Sequence, residues 1–229
     1  MMMTEFCHKP LSDTSKYASV AQKRCHWLIG HKGKCAELPF LEQLRKTHKR
    51  VADKIRRDAT MTTGAAWKSD DAGPNRILRW VMLLSDSELK KFEIDMKKLR
   101  PEVVSKLRDK AATYEDCINV AIKLVWLVYQ MPDAPQPSSE IEDYLASFHG
   151  QLVPGSIKCE ICLLPLSFDL FAEAKRGKAL IETCHKDPRL HNPENVGFAH
   201  RECNIAQGPK NLAEFYDWLE GILKRAGRI

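Results

Sequence analysis

Apolar residues recur at helical spacing through most of the first 130 positions. In PFLEQLRKTHKRVADKIRRDA, Phe40, Leu41, Leu44, Val51 and Ile55 repeat about once per turn with Arg and Lys between them, which predicts one basic amphipathic helix. A polar loop with Gly and Pro, TTGAAWKSDDAGPN, follows, and then NRILRWVMLLS and SDSELKKFEIDMKKL. In the latter, Ser85 or Ser87 is placed to cap a helix whose first N–H groups need an acceptor. Pro101 suits a first helical turn, so PEVVSKLRDKAATYEDCINVAIKLVWLVYQM reads as one long helix or two abutting ones. Its stretch from Ile118 to Val128 is apolar nearly all round and is expected to be the central helix of a bundle. Three prolines in MPDAPQPSS, residues 131 to 139, rule out helix and predict a semi-rigid spacer, after which SSEIEDYLASF is a short helix.

Beyond Val153 the pattern changes. ALIETCH has the alternation and β-branched content of a strand ending at His185, and NVGFAH reads as a second strand, so the two predict a hairpin with a long loop. The final helix, with FYDWLEGILKRAG, is expected to start shortly after Asn204. The expected class is therefore α+β. Residues 1–135 form a mostly helical, basic domain, 136–152 a linker with a short helix, and 153–229 a small module of strands, loops and helix. No internal repeat and no low-complexity tract occurs.

Charge sharpens this division. The net charge is +6, and residues 1 to 58 hold 13 Lys+Arg against 6 Asp+Glu while the remainder holds 23 against 24. So lopsided a segment attracts a polyanion, and Lys46, Lys49, Arg50, Lys54 and Arg57, with Arg45 and Arg56 beside them, are the candidates for phosphate contacts; a merely solvated helix face is the alternative. Trp67 and Trp80 are expected to pack against helices rather than stack on bases. The longest apolar stretch, INVAIKLVWLVYQM, is broken by Asn119 and Lys123, so no membrane span is predicted. The opening MMMTEFCHKPLSD lacks the basic-then-apolar order of a secretory signal, so a soluble, cytoplasmic chain of bacterial or phage type is expected.

Eight cysteines in such a setting point to metal chemistry rather than disulfides. KCEIC places Cys159 and Cys162 at the spacing that lets one tight turn offer two thiolates, and HREC offers His200 and Cys203 at the same spacing. Together they make a Cys3His set for a structural Zn²⁺. Near the N-terminus Cys7, Cys25, His31 and Cys35 are candidates for a second zinc site, but their spacing is irregular and His8 and His26 compete, so scattered reduced cysteines are the favoured alternative. Cys117, alone in a helical stretch, is core packing.

Between the two pairs lies IETCHKDPRLHNPENVGFAH. The run C-x2-C, a strand ending in His, a loop with a late Asn and then H-x2-C-N resembles the HNH, or ββα-metal, nuclease family, nearest to its phage recombination endonuclease VII branch, over about residues 158–227. The resemblance implies that His185 is the general base that activates water, that Asn195 ties the loop and orients that base, and that Asn204 offers oxygen to a catalytic Mg²⁺ or Mn²⁺. Their ordinary alternatives are a zinc ligand or surface His for His185, a turn for Asn195 and a helix N-cap for Asn204.

One position departs from the family. Cys184 stands where it usually has a metal-ligating Asp, and a thiolate is a soft ligand for a hard ion. Either Asn204 and another carboxylate such as Glu182 or Asp187 hold the cation, or Cys184 serves a softer ion, or catalysis is lost. His191 and Asn192 lie in the expected loop and read as turn residues, with contact to DNA as the alternative.

The function implied is a metal-dependent DNA endonuclease of restriction or phage type, with double-stranded DNA as partner and a homodimer if both strands are cut at one site. RNA stays open as a substrate, because basic helices do not tell the two nucleic acids apart. The alternative is an inactive, zinc-stabilised nucleic-acid-binding adaptor on the same fold.

Overall fold

Pro39 opens the first helix where its missing N–H costs nothing, and α1 (Pro39–Thr47) buries Phe40, Leu41 and Leu44. The single basic helix expected from the pattern is two, because His48 leaves helical geometry at φ −134° and ψ 60° before α2 (Lys49–Thr60) begins. A distant residue shares that break, since the His48 ring meets Phe168 edge to face at 4.9 Å.

These features belong to a computed structural model that describes residues 5–62, 77–175 and 178–229. Most of the polar loop, Trp67 included, lies outside the described residues.

In NRILRWVMLLS the described residues, from Ile77 on, form not an α-helix but a 3-10 turn, Arg79–Leu83, that buries Trp80. The next segment also breaks early. α3 (Asp86–Lys90) opens with a capping box between Ser85 and Glu88, and Glu93 at φ +63° turns the chain into a 3-10 turn at Met96–Lys98. α4 (Pro101–Asp109) and α5 (Tyr114–Tyr129) are separate, with Thr113 capping the second. α5 is buried over most of its surface, at Cys117, Ile118, Val120, Leu124, Val125 and Val128 among others, with Asn119, Lys123 and Trp126 half-buried along one stripe, and α1, α2 and α6 (Ser139–His149) pack around it. No helix among the described residues is long and apolar enough to cross a membrane.

The C-terminal part is built on an antiparallel hairpin of β3 (Ile181–His185) and β4 (Val196–His200), preceded by a short pair, β1 (Ala174–Lys175) and β2 (Lys178–Ala179), that the pattern did not announce. Helix α7 (Arg201–Gln207) leaves β4 without a loop. Asn204 lies inside α7, so it is no N-cap. The helix that begins later, α8 (Leu212–Arg225), is capped by Asn211 after Gly208 has turned the chain at φ +61°.

The segment 131–138 joins the two parts but does not hold them apart. Phe168 N–H donates to Pro132 O at 3.1 Å, Gly155 N–H donates to Gln130 O at 2.7 Å, and β4 packs on α5. Val125 and Val128 of α5 therefore belong to the same hydrophobic core as Phe198 and Ile181.

Candidate active site

Register places the key residues. β3 and β4 pair Ile181 with His200, Thr183 with Phe198, Cys184 with Gly197 and His185 with Val196. His185 thus stands at the far end of the hairpin from His200, where α7 begins.

Around His200 the four predicted zinc ligands converge. The donor atoms of Cys159, Cys162, His200 and Cys203 all lie within 4.8 Å of one another, with Cys162 Sγ 3.3 Å from His200 Nδ1. The C-x2-C turn is a knuckle in which Ile161 and Cys162 N–H groups point at Cys159 Sγ, each at 3.5 Å. Burial works against ionising Cys159, but those amides outweigh it and hold the thiol below its usual value. Burial and the neighbouring sulfurs push Cys203 up to about 12, so three thiolates coexist here only around a cation. The donor set fits tetrahedral zinc. Tyr216 closes the site from α8 by donating to Ile161 O at 2.6 Å.

At the other end of the hairpin, α2 and β3 form two walls of a cavity of about 850 Å³. Among the described residues Arg50, Lys54, Arg57, Arg79, Lys110 and Lys178 line it against two acids, Asp58 and Glu182, with His185 and Asn204 also on its wall. The two acids are partnered. Lys54 Nζ reaches Asp58 Oδ2 at 2.8 Å and Glu182 Oε2 at 2.9 Å, Arg57 Nε reaches Asp58 Oδ1 at 2.8 Å, and Thr183 Oγ1 donates to Asp58 Oδ2 at 3.1 Å. Burial raises the Asp58 pKa, but Lys54 and Arg57 outweigh it and keep the carboxyl below its ordinary range. Lys54 and Arg57 are thereby engaged with carboxylates, Lys54 being buried, whereas Lys46, Lys49 and Arg50 are exposed. Buried Arg79 donates to Asp58 O and to Lys110 O, both at 3.0 Å, and burial lowers it to about 10.

His185 belongs to a chain of hydrogen bonds that fixes its tautomer. His191 Nε2 lies 2.7 Å from Ala59 O, a group that only accepts, so His191 carries its proton there. His191 Nδ1 is then a lone pair, and at 3.0 Å it accepts from His185 Nε2–H. The basic lone pair of His185 is left on Nδ1. Desolvation, with the positive charges of Arg79 and Lys110 behind it, lowers His185 to about 3; burial and Arg79 lower His191 to about 2. Both rings are neutral at physiological pH.

The loop between the strands is tied by Asn195. Its Oδ1 accepts from Asp187 N–H at 2.8 Å, and its Nδ2 donates to Asp187 O at 2.8 Å and Leu190 O at 2.6 Å. Gln207 anchors α7 to the same loop through His185 O at 2.9 Å.

Two expectations change here. His191 is a buried member of the site and not a turn residue. Cys184 is buried in the hydrophobic core and lines no part of the cavity, and burial pushes its thiol up, so it is no cation ligand there. Asp187 is likewise engaged in the loop, accepting Arg189 N–H at 2.9 Å. Glu182 and Asn204 remain as oxygen donors on the cavity wall.

Because the folded state keeps these two imidazoles neutral while the unfolded chain binds protons below about pH 6.5, acid favours unfolding. Their contribution is complete above about pH 6.5 and is lost progressively toward pH 3, at up to about 1.4 kcal/mol per pH unit for each ring. Thermal melts of His191→Gln between pH 6.5 and 5 are expected to fall less steeply with acid than those of the parent chain, by roughly one proton's worth of slope. Equal slopes would contradict the buried neutral pair.

Comparison with known proteins is consistent with this geometry. Among curated proteins none matches the chain. A solved structure described as "Crystal structure of a type II restriction endonuclease" is 48% identical, superposes with a TM-score of 0.84, and is matched over 98% of this chain and 100% of that one. The DraIII family model matches residues 37–203, a span that contains the cavity's α2 wall, the hairpin and all four ligands of the zinc-type cluster. The chain belongs to the DraIII family.

Proposed function

We propose that this chain is a divalent-cation-dependent endonuclease of the HNH type that hydrolyses phosphodiester bonds in double-stranded DNA. One observation carries the reading: the relay from Ala59 O through His191 to His185, which leaves a neutral imidazole with a free Nδ1 lone pair on the wall of a strongly basic cavity. The similarity to a type II restriction endonuclease supports the substrate.

His185 Nδ1 takes a proton from water, the hydroxide oxygen bonds to phosphorus, and the P–O bond to the departing strand breaks, its electrons staying on the leaving oxygen. His191 holds the base in the required tautomer, and Asn195 holds the loop that carries His191. An imidazole lowered to about 3 is a weak base in the free protein. Phosphates entering the cavity offset the charges of Arg79 and Lys110, which raises His185 toward the range useful for proton abstraction. Arg50, Lys46 and Lys49 are free to meet the backbone, whereas Lys54 and Arg57 act by fixing Asp58 and Glu182. Asn204 and Glu182 would hold Mg²⁺ or Mn²⁺. Such an ion supplies positive charge for the phosphate and the leaving oxygen. Cutting both strands at one site calls for a symmetric homodimer.

A second reading, an inactive zinc-stabilised DNA-binding adaptor, is favoured by Cys184, which gives the core an apolar thiol where a nuclease of this type has a metal-binding carboxylate. Supercoiled plasmid decides between them. With Mg²⁺ or Mn²⁺ the protein is expected to nick or linearise the plasmid, EDTA is expected to stop it, and a structured RNA of similar length is expected to survive. Tight plasmid binding without cutting under either cation would establish the adaptor, and cutting of the RNA alone would overturn DNA as the substrate.

A further inference from the structure

The N-terminal segment carries a second convergence of soft ligands, one that lies before the span matched by the family model. Residues 5–37 contain no helix or extended strand, and only Cys25 and His26 among them are fully buried. A segment of that length without its own core needs a staple. Cys7, Cys25, His31 and Cys35 come together in it, all four donor atoms within 4.8 Å of one another.

The individual spacings discriminate between explanations. Cys7 Sγ lies 4.0 Å from Cys35 Sγ, and His31 Nε2 lies 3.6 Å from Cys25 Sγ and 3.7 Å from Cys35 Sγ. A disulfide needs its sulfurs at about 2.0 Å. A tetrahedron with Zn–S bonds of about 2.3 Å and a Zn–N bond of about 2.0 Å has edges of about 3.8 Å between sulfurs and about 3.6 Å from sulfur to nitrogen. The observed edges match the second figure. His8 and His26, the competing imidazoles, are not in the cluster; His26 Nδ1 is committed to Glu37 O at 2.8 Å.

The backbone is arranged to deliver these four groups. Cys7 and Cys25 lie on facing arms, with Cys7 N–H donating to Trp27 O at 2.8 Å and Cys25 N–H donating to Lys9 O at 2.9 Å. Gly30 at φ +87° reverses the chain just before His31, a backbone angle that L side chains resist. The His31 ring lies over Trp27 at 6.1 Å and 23°, which orients it toward the sulfurs. The segment is in turn seated on α6, where Tyr144 Oη donates to His26 O at 2.8 Å and Phe6 stacks on Phe148 at 5.4 Å, and it is closed on the residues leading into α1 by His26 N–H donating to Ala36 O at 3.0 Å.

We infer that Cys7, Cys25, His31 and Cys35 form a second structural zinc site, which closes the N-terminal segment and fastens it to α6 and the start of α1. Closed by four protein ligands, the site holds the metal without an open position for substrate. It also ties down the exposed Lys32 and Lys34 in the loop between two of its ligands.

Elemental analysis of the full-length protein, dialysed against metal-free buffer, tests this. Two zinc ions per chain are expected in the parent protein, one per cluster. Cys7→Ser/Cys35→Ser is expected to retain one, and Cys159→Ser/Cys203→Ser is also expected to retain one. A single zinc that disappears on substituting Cys159 and Cys203 would overturn the inference, as would two zinc ions retained after substituting Cys7 and Cys35. The parent stoichiometry requires no variant, and cobalt replacement gives it a spectroscopic check: thiolate-to-cobalt absorption reaching its plateau at two equivalents supports two sulfur-rich sites, while saturation at one equivalent contradicts them. Failure of this test leaves the proposed nuclease reading untouched, because that reading places neither base nor substrate in residues 5–37.

Discussion

Cys203→Ser is expected to unfold the C-terminal part of the chain. The C-terminal part contributes few apolar residues to the core it shares with α5, chiefly Ile157, Ile161, Leu166, Phe168, Ile181, Val196, Phe198 and Phe215. A structural zinc contributes about 10 kcal/mol or more to such a unit, comparable with the whole stability of a typical domain at about 5–15 kcal/mol. His200 and Cys203 bracket the junction of β4 and α7, so losing the ion frees α7, which carries Asn204, and β4, whose pairing with β3 holds His185 in place. Far-UV circular dichroism should report lost structure, zinc content should fall by one per chain, and DNA cleavage should disappear in Mg²⁺. A strong chelator followed by zinc should abolish and then restore activity in the parent protein, whereas Mg²⁺ alone should not restore it. A Cys203→Ser protein with parental melting and parental zinc content would contradict the assignment.

What the sequence made legible follows a simple physical division. Cys159 with Cys162 and His200 with Cys203 were readable because each pair is made by one local turn, and strands β3 and β4 were readable because alternation is itself local. Features set by distant partners were not. The break at His48 is shared with Phe168, 120 residues further on, and no periodicity announces it. His191 looked like a turn residue in RLHNPEN, yet its partner Ala59 lies 132 positions away. Lys54 looked like one more cation on a basic face. Half of its true role was visible, since Asp58 stands four residues later on the same helix, but Glu182 is 128 positions distant. Cys184 stands in the slot where the resembled family has a metal-ligating Asp, which leaves its role open in the sequence, and the pairing of β3 with β4 leaves it in the core opposite Gly197. Of the resemblance-based roles, Asn195 is the one with the densest local bonding, three hydrogen bonds within its own loop.

The same division locates the chemistry. The cavity is assembled from α2, the 3-10 turn bearing Arg79, β3 and α7, and no one of these carries the site alone. Among the described residues His185 is the only imidazole that lines the cavity, and its Nε2–H is committed to His191. Removing that ring deletes the proposed proton acceptor while leaving the exposed cations of α1 and α2 in place. General-base catalysis is worth about 10²–10⁴-fold, so His185→Ala should lose that much in the rate of strand cleavage. DNA affinity should stay within a few fold, since phosphate contacts supply most of the binding. Loss of a buried hydrogen bond to His191 adds a stability cost of about 1–3 kcal/mol, to be separated from catalysis by working well below the melting temperature.

Single-turnover cleavage of plasmid DNA, with parent and His185→Ala proteins at equal DNA occupancy in Mg²⁺, is the most direct trial of the account. It predicts linear or nicked product from the parent and a rate at least about 100-fold lower from His185→Ala. Equal rates from the two proteins would contradict the assignment of His185 as the base and, with it, of this cavity as the place where DNA is cut.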